Sequence, residues 1–177
     1  MSISLSGVGV SRGVAIGKVH LLQRGQLEIP EYVVPPKFVE EEVARLESAV
    51  RTARAQLKAI RKHIPASTPA DISSFIDAHL LMLDDGMLSD EPIKLIRSQQ
   101  CNAEWALKQQ RDSVVAIFDE MEDPYLRTRR DDVDHVINRV QLLLLDESSH
   151  SSDLDSRLKG CILVADDLTP ADTVLMQ

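Results

Sequence analysis

The sequence predicts a mainly α fold, a four-helix-type bundle inserted into a partial α/β unit. Three observations predict it. Aromatic residues make up only 3% of the chain although 44% of it is apolar, so the core must be built from Leu, Ile, Val and Ala, as in helix bundles. From Val39 onward apolar residues recur with helical spacing, while glycine and β-branched residues crowd the first 17 positions. A second β-like run, Gly160 to Ala165, stands close to the last residue, Gln177. The order strands, helices, strand, helix assigns residues 1–34 and 147–177 to the partial α/β unit and 35–146 to the helical unit.

Gly7, Gly9, Gly13 and Gly17 are more than half of the seven glycines. Their spacing matches neither a P-loop nor a dinucleotide fingerprint, so turn and strand-packing roles are expected. Val14-Ala15-Ile16 and Val19-His20-Leu21-Leu22 read as strands. Pro30, Pro35 and Pro36 mark a linker, and a helix starts near Lys37. Its apolar seam is Val39, Val43, Leu46, Val50, Ala53, Leu57, Ile60 and Ile64, in steps of 4, 3, 4, 3, 4, 3, 4. The repeat stops at Pro65, which favours a long bundle helix over a coiled coil. Glu40, Glu41 and Glu42 suit the positive end of its dipole.

Thr68-Pro69 signals the next helix, to about Asp84, with Ile72, Phe75, Ile76, His79, Leu80 and Leu83 on one side. Asp85-Gly86 ends it, and a shorter helix passes through Ile93 and Ile96. Asn102 is expected to cap a helix carrying Trp105, Val114, Val115, Phe118 and Met121. Asp123-Pro124 opens the last long helix, to Leu145, with Leu126, Val133, Val136, Ile137, Val140, Leu143 and Leu144 inward. Glu147 to Asp155 reads as a polar loop. After the strand at Gly160 to Ala165, Thr169 is the expected N-cap, Pro170 the first helical residue and Asp172 the capping-box partner.

Composition excludes several function classes. The balance of 20 basic and 28 acidic residues gives a net charge of -8, and no basic face is present for a duplex nucleic acid. No apolar stretch, Leu142 to Leu145 included, is long enough to span a membrane. The N-terminus lacks a secretory pattern, and the two cysteines, Cys101 and Cys161, are isolated, so a cytoplasmic location is expected. His20, His63, His79, His135 and His150 are scattered, which speaks against a zinc site, so no metal ligand is expected. A lone histidine such as His79 on an apolar helix face is more often structural than functional.

One surface stands out. Between Lys62 and Lys94 there is no Lys or Arg, while Asp71, Asp77, Asp84, Asp85, Asp90 and Glu91 fall in that window. It reads either as a solvated acidic face or as a dock for a basic partner. Phe75, His79, Met82, Met87 and Leu88 lie beside it, and Phe118, Tyr125, Leu126 and Arg129 flank the Asp123-Pro124 break. They are either core or an apolar patch with an acidic rim.

Four segments carry a family resemblance: Gly7 to Lys18 (GVGVSRGVAIGK), Ala78 to Asp85 (AHLLMLDD), Asp123 to Arg127 (DPYLR) with Asp131-Asp132-Val133, and Ile162 to Asp172 (ILVADDLTPAD). In this order and spacing they resemble the N-terminal domain of Enzyme I of the bacterial phosphoenolpyruvate-dependent phosphotransferase system, over nearly the whole chain. The family moves the phosphoryl group of phosphoenolpyruvate onto an enzyme histidine and on to a histidine of the carrier HPr. The resemblance implies a phosphohistidine-bearing α/β subdomain and a helical subdomain that docks HPr. It implies HPr-binding roles for Asp71, Phe75, His79, Met82, Asp84, Asp85, Leu88, Phe118, Tyr125, Leu126 and Arg129.

The family's phosphorylated histidine belongs to a Gly-Gly-x-x-Ser-His segment expected shortly after Gln177, so no residue of this sequence takes that role. The 177 residues alone are expected to be inactive, with Thr169 the nearest piece of the site, in contact with that histidine. Magnesium and phosphoenolpyruvate are expected only in a C-terminal domain, itself a partner of this one. Ser11-Arg12-Gly13 departs from the family's Ser-Pro-Gly and leaves the pathway branch open. A sheet without its remaining strands has an open edge, which favours a homodimer. The competing class is a non-catalytic helical module that binds an HPr-like carrier. A related swivelling domain, as in pyruvate phosphate dikinase, is a third reading, which the Ala78 to Asp85 segment disfavours.

Overall fold

The computed structural model describes residues 8, 12–22, 29–64, 70–145, 160–165 and 168–175. The expected loop at 147–155 and the Thr68-Pro69 cap lie outside the described residues. So do the side chains of Met87, Tyr125 and Leu126.

The elements run in the order β1 (Lys18–Leu22), a 3-10 turn (Pro36–Phe38), α1 (Val39–His63), α2 (Ala70–Asp84), a second 3-10 turn (Gly86–Leu88), α3 (Asp90–Gln99), α4 (Ala103–Asp119), α5 (Pro124–Leu144), β2 (Cys161–Ala165) and α6 (Pro170–Leu175). The fold is mainly α with a small sheet, as expected. α1 is long because its apolar residues fall on one stripe. Val39, Val43, Leu46, Val50, Ala53, Leu57 and Ile60 are all buried, joined by Ala49. Ile76 and Leu83 of α2, Ile96 of α3, Leu107 of α4, and Val133, Val136, Ile137 and Val140 of α5 close the core around it.

β1 pairs with β2 in parallel, from Lys18 opposite Cys161 to Leu22 opposite Ala165. The chain between them is the whole helical unit. β1 and β2 therefore meet across an insertion, because a parallel pair needs a long crossover. Gly160 adopts φ 79°, a left-handed turn that leads into β2 and suits glycine. The expected strand at Val14-Ala15-Ile16 does not form. Arg12 to Ile16 carry no regular structure, and Val14 and Ile16 are exposed. No partner strand lies beside them among the described residues, so β-propensity finds no ladder to join.

The linker before α1 is fixed rather than loose. Val33 bridges Cys101, and the Val34 N–H donates to the Gln100 carbonyl at 2.7 Å. Asn102 stands at the N-cap position of α4, yet its side chain makes no cap bond. Its amide oxygen accepts from the Tyr32 N–H at 3.1 Å, and its amide nitrogen donates to the Pro30 carbonyl at 2.9 Å. The orphan N–H of Ala103 instead donates to Glu42 of α1 at 2.7 Å. α4 ends at Asp119, so Met121 lies beyond the helix that was expected to carry it.

At the other end, α6 starts as expected. The Thr169 hydroxyl donates to Asp172 Oδ2 at 2.6 Å, the Thr169 N–H donates to the same oxygen at 2.9 Å, and the Asp172 N–H donates to Thr169 Oγ1 at 3.2 Å. This is a reciprocal capping box. Ala171 is buried in the core, and α6 packs against α1 and α2.

Candidate functional site

Helix α2 carries the largest share of the predicted site. Its periodicity turns Ile76 and Leu83 inward and leaves Asp71, Asp77 and Asp84 exposed. Phe75 and Met82 lie half-buried at the boundary. Asp71, Ser74, Phe75 and Ala78 of α2 and Arg129 of α5 line an open cleft of about 250 Å³. Arg129 Nη1 donates to Asp132 Oδ2 at 2.7 Å, which holds the guanidinium at the cleft wall.

Two predicted contacts are corrected as surface residues. Leu88 is buried in the core beneath the second 3-10 turn, where the turn after α2 folds back onto α3. His79 is 3% exposed and faces α5 rather than solvent. Phe118, near the end of α4, packs partly buried against the core. Asp85 is exposed just after α2. Leu81, which the sequence reading passed over, is 70% exposed, so an apolar side chain does stand beside Asp84 and Asp85.

The acidic window is less bare than its sequence. α1 supplies cations that the window lacks: Arg61 Nε donates to Asp77 Oδ1 at 2.9 Å, and Arg54 pairs with Asp84. Both pairs are solvent-accessible and therefore weak. Arg61 holds the Asp77 carboxyl below its ordinary value.

Beneath the cleft is a cluster that sequence spacing did not reveal. His79 of α2 meets Asp132 and His135 of α5, with one potential ligand atom from each lying within 4.8 Å of the others. His79 Nε2 stands 4.0 Å from Asp132 Oδ1, too far for a hydrogen bond. The His79 ring leans on Phe75 with centroids 4.0 Å apart and an interplanar angle of 50°. Burial pushes the His79 imidazole down to about 4. Asp132 opposes this shift, while His135 and Arg139 reinforce it, so the ring is neutral at pH 7. The available signal was Asp132 and His135 at i, i+3 on one helical face; the histidines are scattered along the sequence as read, and it is the packing of α2 on α5 that brings His79 to this pair. Two of the three ligand atoms are imidazole nitrogens, which does not fit magnesium, a cation that takes oxygen ligands.

Thr169 is 6% exposed, and its hydroxyl proton is already given to Asp172. A histidine approaching it would meet an oxygen lone pair and not a free donor.

The sequence and the fold both match known proteins. The family model described as "PEP-utilising enzyme, N-terminal" covers residues 6–129. The chain belongs to this family. Its relatives are whole enzymes of greater length. The chain is 38% identical over 180 residues to a phosphoenolpyruvate-protein phosphotransferase of Cupriavidus necator, covering 97% of this chain and 30% of that protein. It is 33% identical over 172 residues to the protein of the same name from Bacillus subtilis, covering 96% of this chain and 29% of the relative. The chain thus spans under a third of the length of these relatives. Among solved structures, an Enzyme I N-terminal protein determined by NMR superposes with a TM-score of 0.77 at 24% identity, covering 94% of this chain and 66% of that one. An N-terminal domain of the nitrogen-type Enzyme 1 gives 0.68 at 23% identity, covering 93% of this chain and 66% of its own. At these identities the two structures show a shared fold. The PEP-utilising N-terminal family is thus established for this chain by sequence, and its architecture by structure.

Proposed function

We propose that this chain is the N-terminal part of an enzyme that moves a phosphoryl group from phosphoenolpyruvate, through an enzyme histidine, to a histidine of the carrier HPr, and that its helices dock the carrier. The observation that supports this most is the 38% identity, over nearly the whole chain, to a phosphoenolpyruvate-protein phosphotransferase. We assign phosphoenolpyruvate and magnesium to the C-terminal part of such a protein, and the phosphorylated histidine to a residue outside this sequence. The location we propose is cytoplasmic. No helix among the described residues is long and apolar enough to cross a membrane.

The docking face that fits this reading runs along α2 and onto α5. Asp71 and Asp85 rim it with exposed negative charge, and Phe75, Met82 and Leu81 supply apolar contact. A carrier with a basic, partly apolar face is matched by such a rim in sign and in chemistry. Buried Leu88 and His79 act behind the face, by holding α2 and the turn after it, and not by contact. Tyr125, Leu126 and Phe118 are kept as carrier contacts on the family resemblance alone.

The reading is tested by titrating HPr into the protein and its Asp71→Lys, Asp85→Lys double variant over a range of ionic strength. The double variant is expected to bind more weakly at low salt and to lose less affinity as salt rises, because fewer attractive charges remain to be screened. Unchanged binding at low salt would reject the face. For Thr169, the whole enzyme is expected to lose phosphotransfer rate on Thr169→Ala and to keep it on Thr169→Ser, which retains the hydroxyl. An unaltered rate in Thr169→Ala removes the proposed contact with the active histidine.

A further inference from the structure

We propose that His79, Asp132 and His135 form a binding site for a divalent transition-metal ion of the zinc class, clamping α2 to α5. The site is separate from the phosphoryl chemistry and does not depend on the docking reading.

Four observations carry it. Two imidazoles and one carboxylate are placed so that one ligand atom from each lies within 4.8 Å of the other two. Ligands around a tetrahedral zinc lie about 3.4 Å apart, so no separation must close by more than about 1.4 Å, within the reach of side-chain rotation. The His79 side chain is 4% exposed, and its Nε2 points toward Asp132 without a hydrogen-bond partner. A buried polar atom in that state is costly, and a metal ion would satisfy it. The two oxygens of Asp132 are divided between two tasks: Oδ2 accepts from Arg129 at 2.7 Å, while Oδ1 faces His79. An outer partner on one carboxylate oxygen fixes the other for a metal. Finally, Phe75, which touches the His79 ring, and Arg129, which holds Asp132, both line the cleft beside α2, which gives an ion a way in.

Imidazole nitrogen selects zinc, cobalt, nickel or copper over magnesium and calcium. Three protein ligands leave a fourth position for water. Arg129 and the nearby Arg139 place positive charge around the cluster and oppose a dication, so the binding is expected to be reversible and not permanent.

The test is a Co2+ titration of the metal-stripped intact protein in excess Mg2+, which occupies oxygen-only sites. The expected result is one equivalent of Co2+ with visible d–d absorption of a four-coordinate site, displaced by Zn2+, and amide shifts centred on His79 and on Asp132 to His135 in the nitrogen–proton spectrum. Asp132→Asn and His135→Asn are each expected to weaken binding at least about tenfold. Both change side chains at the edge of the cluster, and retained helicity by circular dichroism shows that they fold. Failure of the wild-type protein to take up Co2+ would overturn the proposal. So would binding that both variants retain at full strength, or a thiolate-to-cobalt charge-transfer band, which would place the ion on Cys101 or Cys161.

Discussion

Arg45 is the residue on which most depends. It sits on α1, donates to Glu104 of α4 through both Nη atoms at 2.7 and 2.6 Å, to Glu42 at 2.6 and 3.1 Å, and to the Leu144 carbonyl at 3.0 Å. One guanidinium thus ties the start of α4 and the end of α5 to α1. Burial works against its charge, but the bonds it donates to Glu104 and Glu42 outweigh it and hold Arg45 firmly protonated. Glu104 is 3% exposed and would be an uncompensated charge without it. Arg45→Met is therefore expected to cost about 3 kcal/mol in urea unfolding. Glu104 also sets a pH dependence. Burial alone would raise its carboxyl, yet the bonds from Arg45 and Asn102 win and hold it below its ordinary 4.5. A depressed carboxyl stabilises the fold above its unfolded value and loses that contribution as pH falls through its folded value. The melting temperature should fall as pH drops below about 4.5, and Glu104→Gln, less stable at neutral pH, should show a smaller fall.

At the scale of elements, α1 and α6 make opposite cases. α1 is held by its buried stripe. Leu57 is fully buried at its middle, and Leu57→Ala should cost about 3 kcal/mol in the same unfolding assay, since the surrounding helices cannot collapse into the space. α6 has six residues, too few to persist without help. Its capping box and the burial of Ala171 supply that help. Loss of the Thr169 hydroxyl should destabilise by about 1 kcal/mol, seen first as faster amide exchange across 171–175 and not as global unfolding. The two cases also differ in how legible they were. The α1 seam and the α6 box are local patterns, complete within a few turns of chain. The role of Asn102 was misread because the pattern of a cap is local, while its actual partners, Tyr32 and Pro30, come from another segment.

At the scale of the molecule, the sheet leaves apolar side chains uncovered. Val19 and Leu21 of β1 and Val164 of β2 are 65%, 55% and 42% exposed, and the parallel register places them on one face. An apolar sheet face of this kind favours self-association. The 177 residues by themselves are expected to show a concentration-dependent increase in sedimentation coefficient, which Leu21→Lys should suppress. A monomer at every concentration would remove the expectation of a homodimer.

Fold class, the order of the elements, the long α1 seam and the Thr169–Asp172 box were legible in the sequence, as was the resemblance to Enzyme I. All rest on interactions within a helix turn or on short contiguous motifs, where spacing along the chain stands for spacing in three dimensions. The tertiary structure alone decided that Arg54 and Arg61 answer the acidic window, that Leu88 is core, and that Glu104 lies on Arg45, 59 residues away. It alone brought His79 against Asp132 and His135. Which face of α2 meets which face of α5 is set by how four apolar stripes fill one core, and no spacing within either helix carries that information.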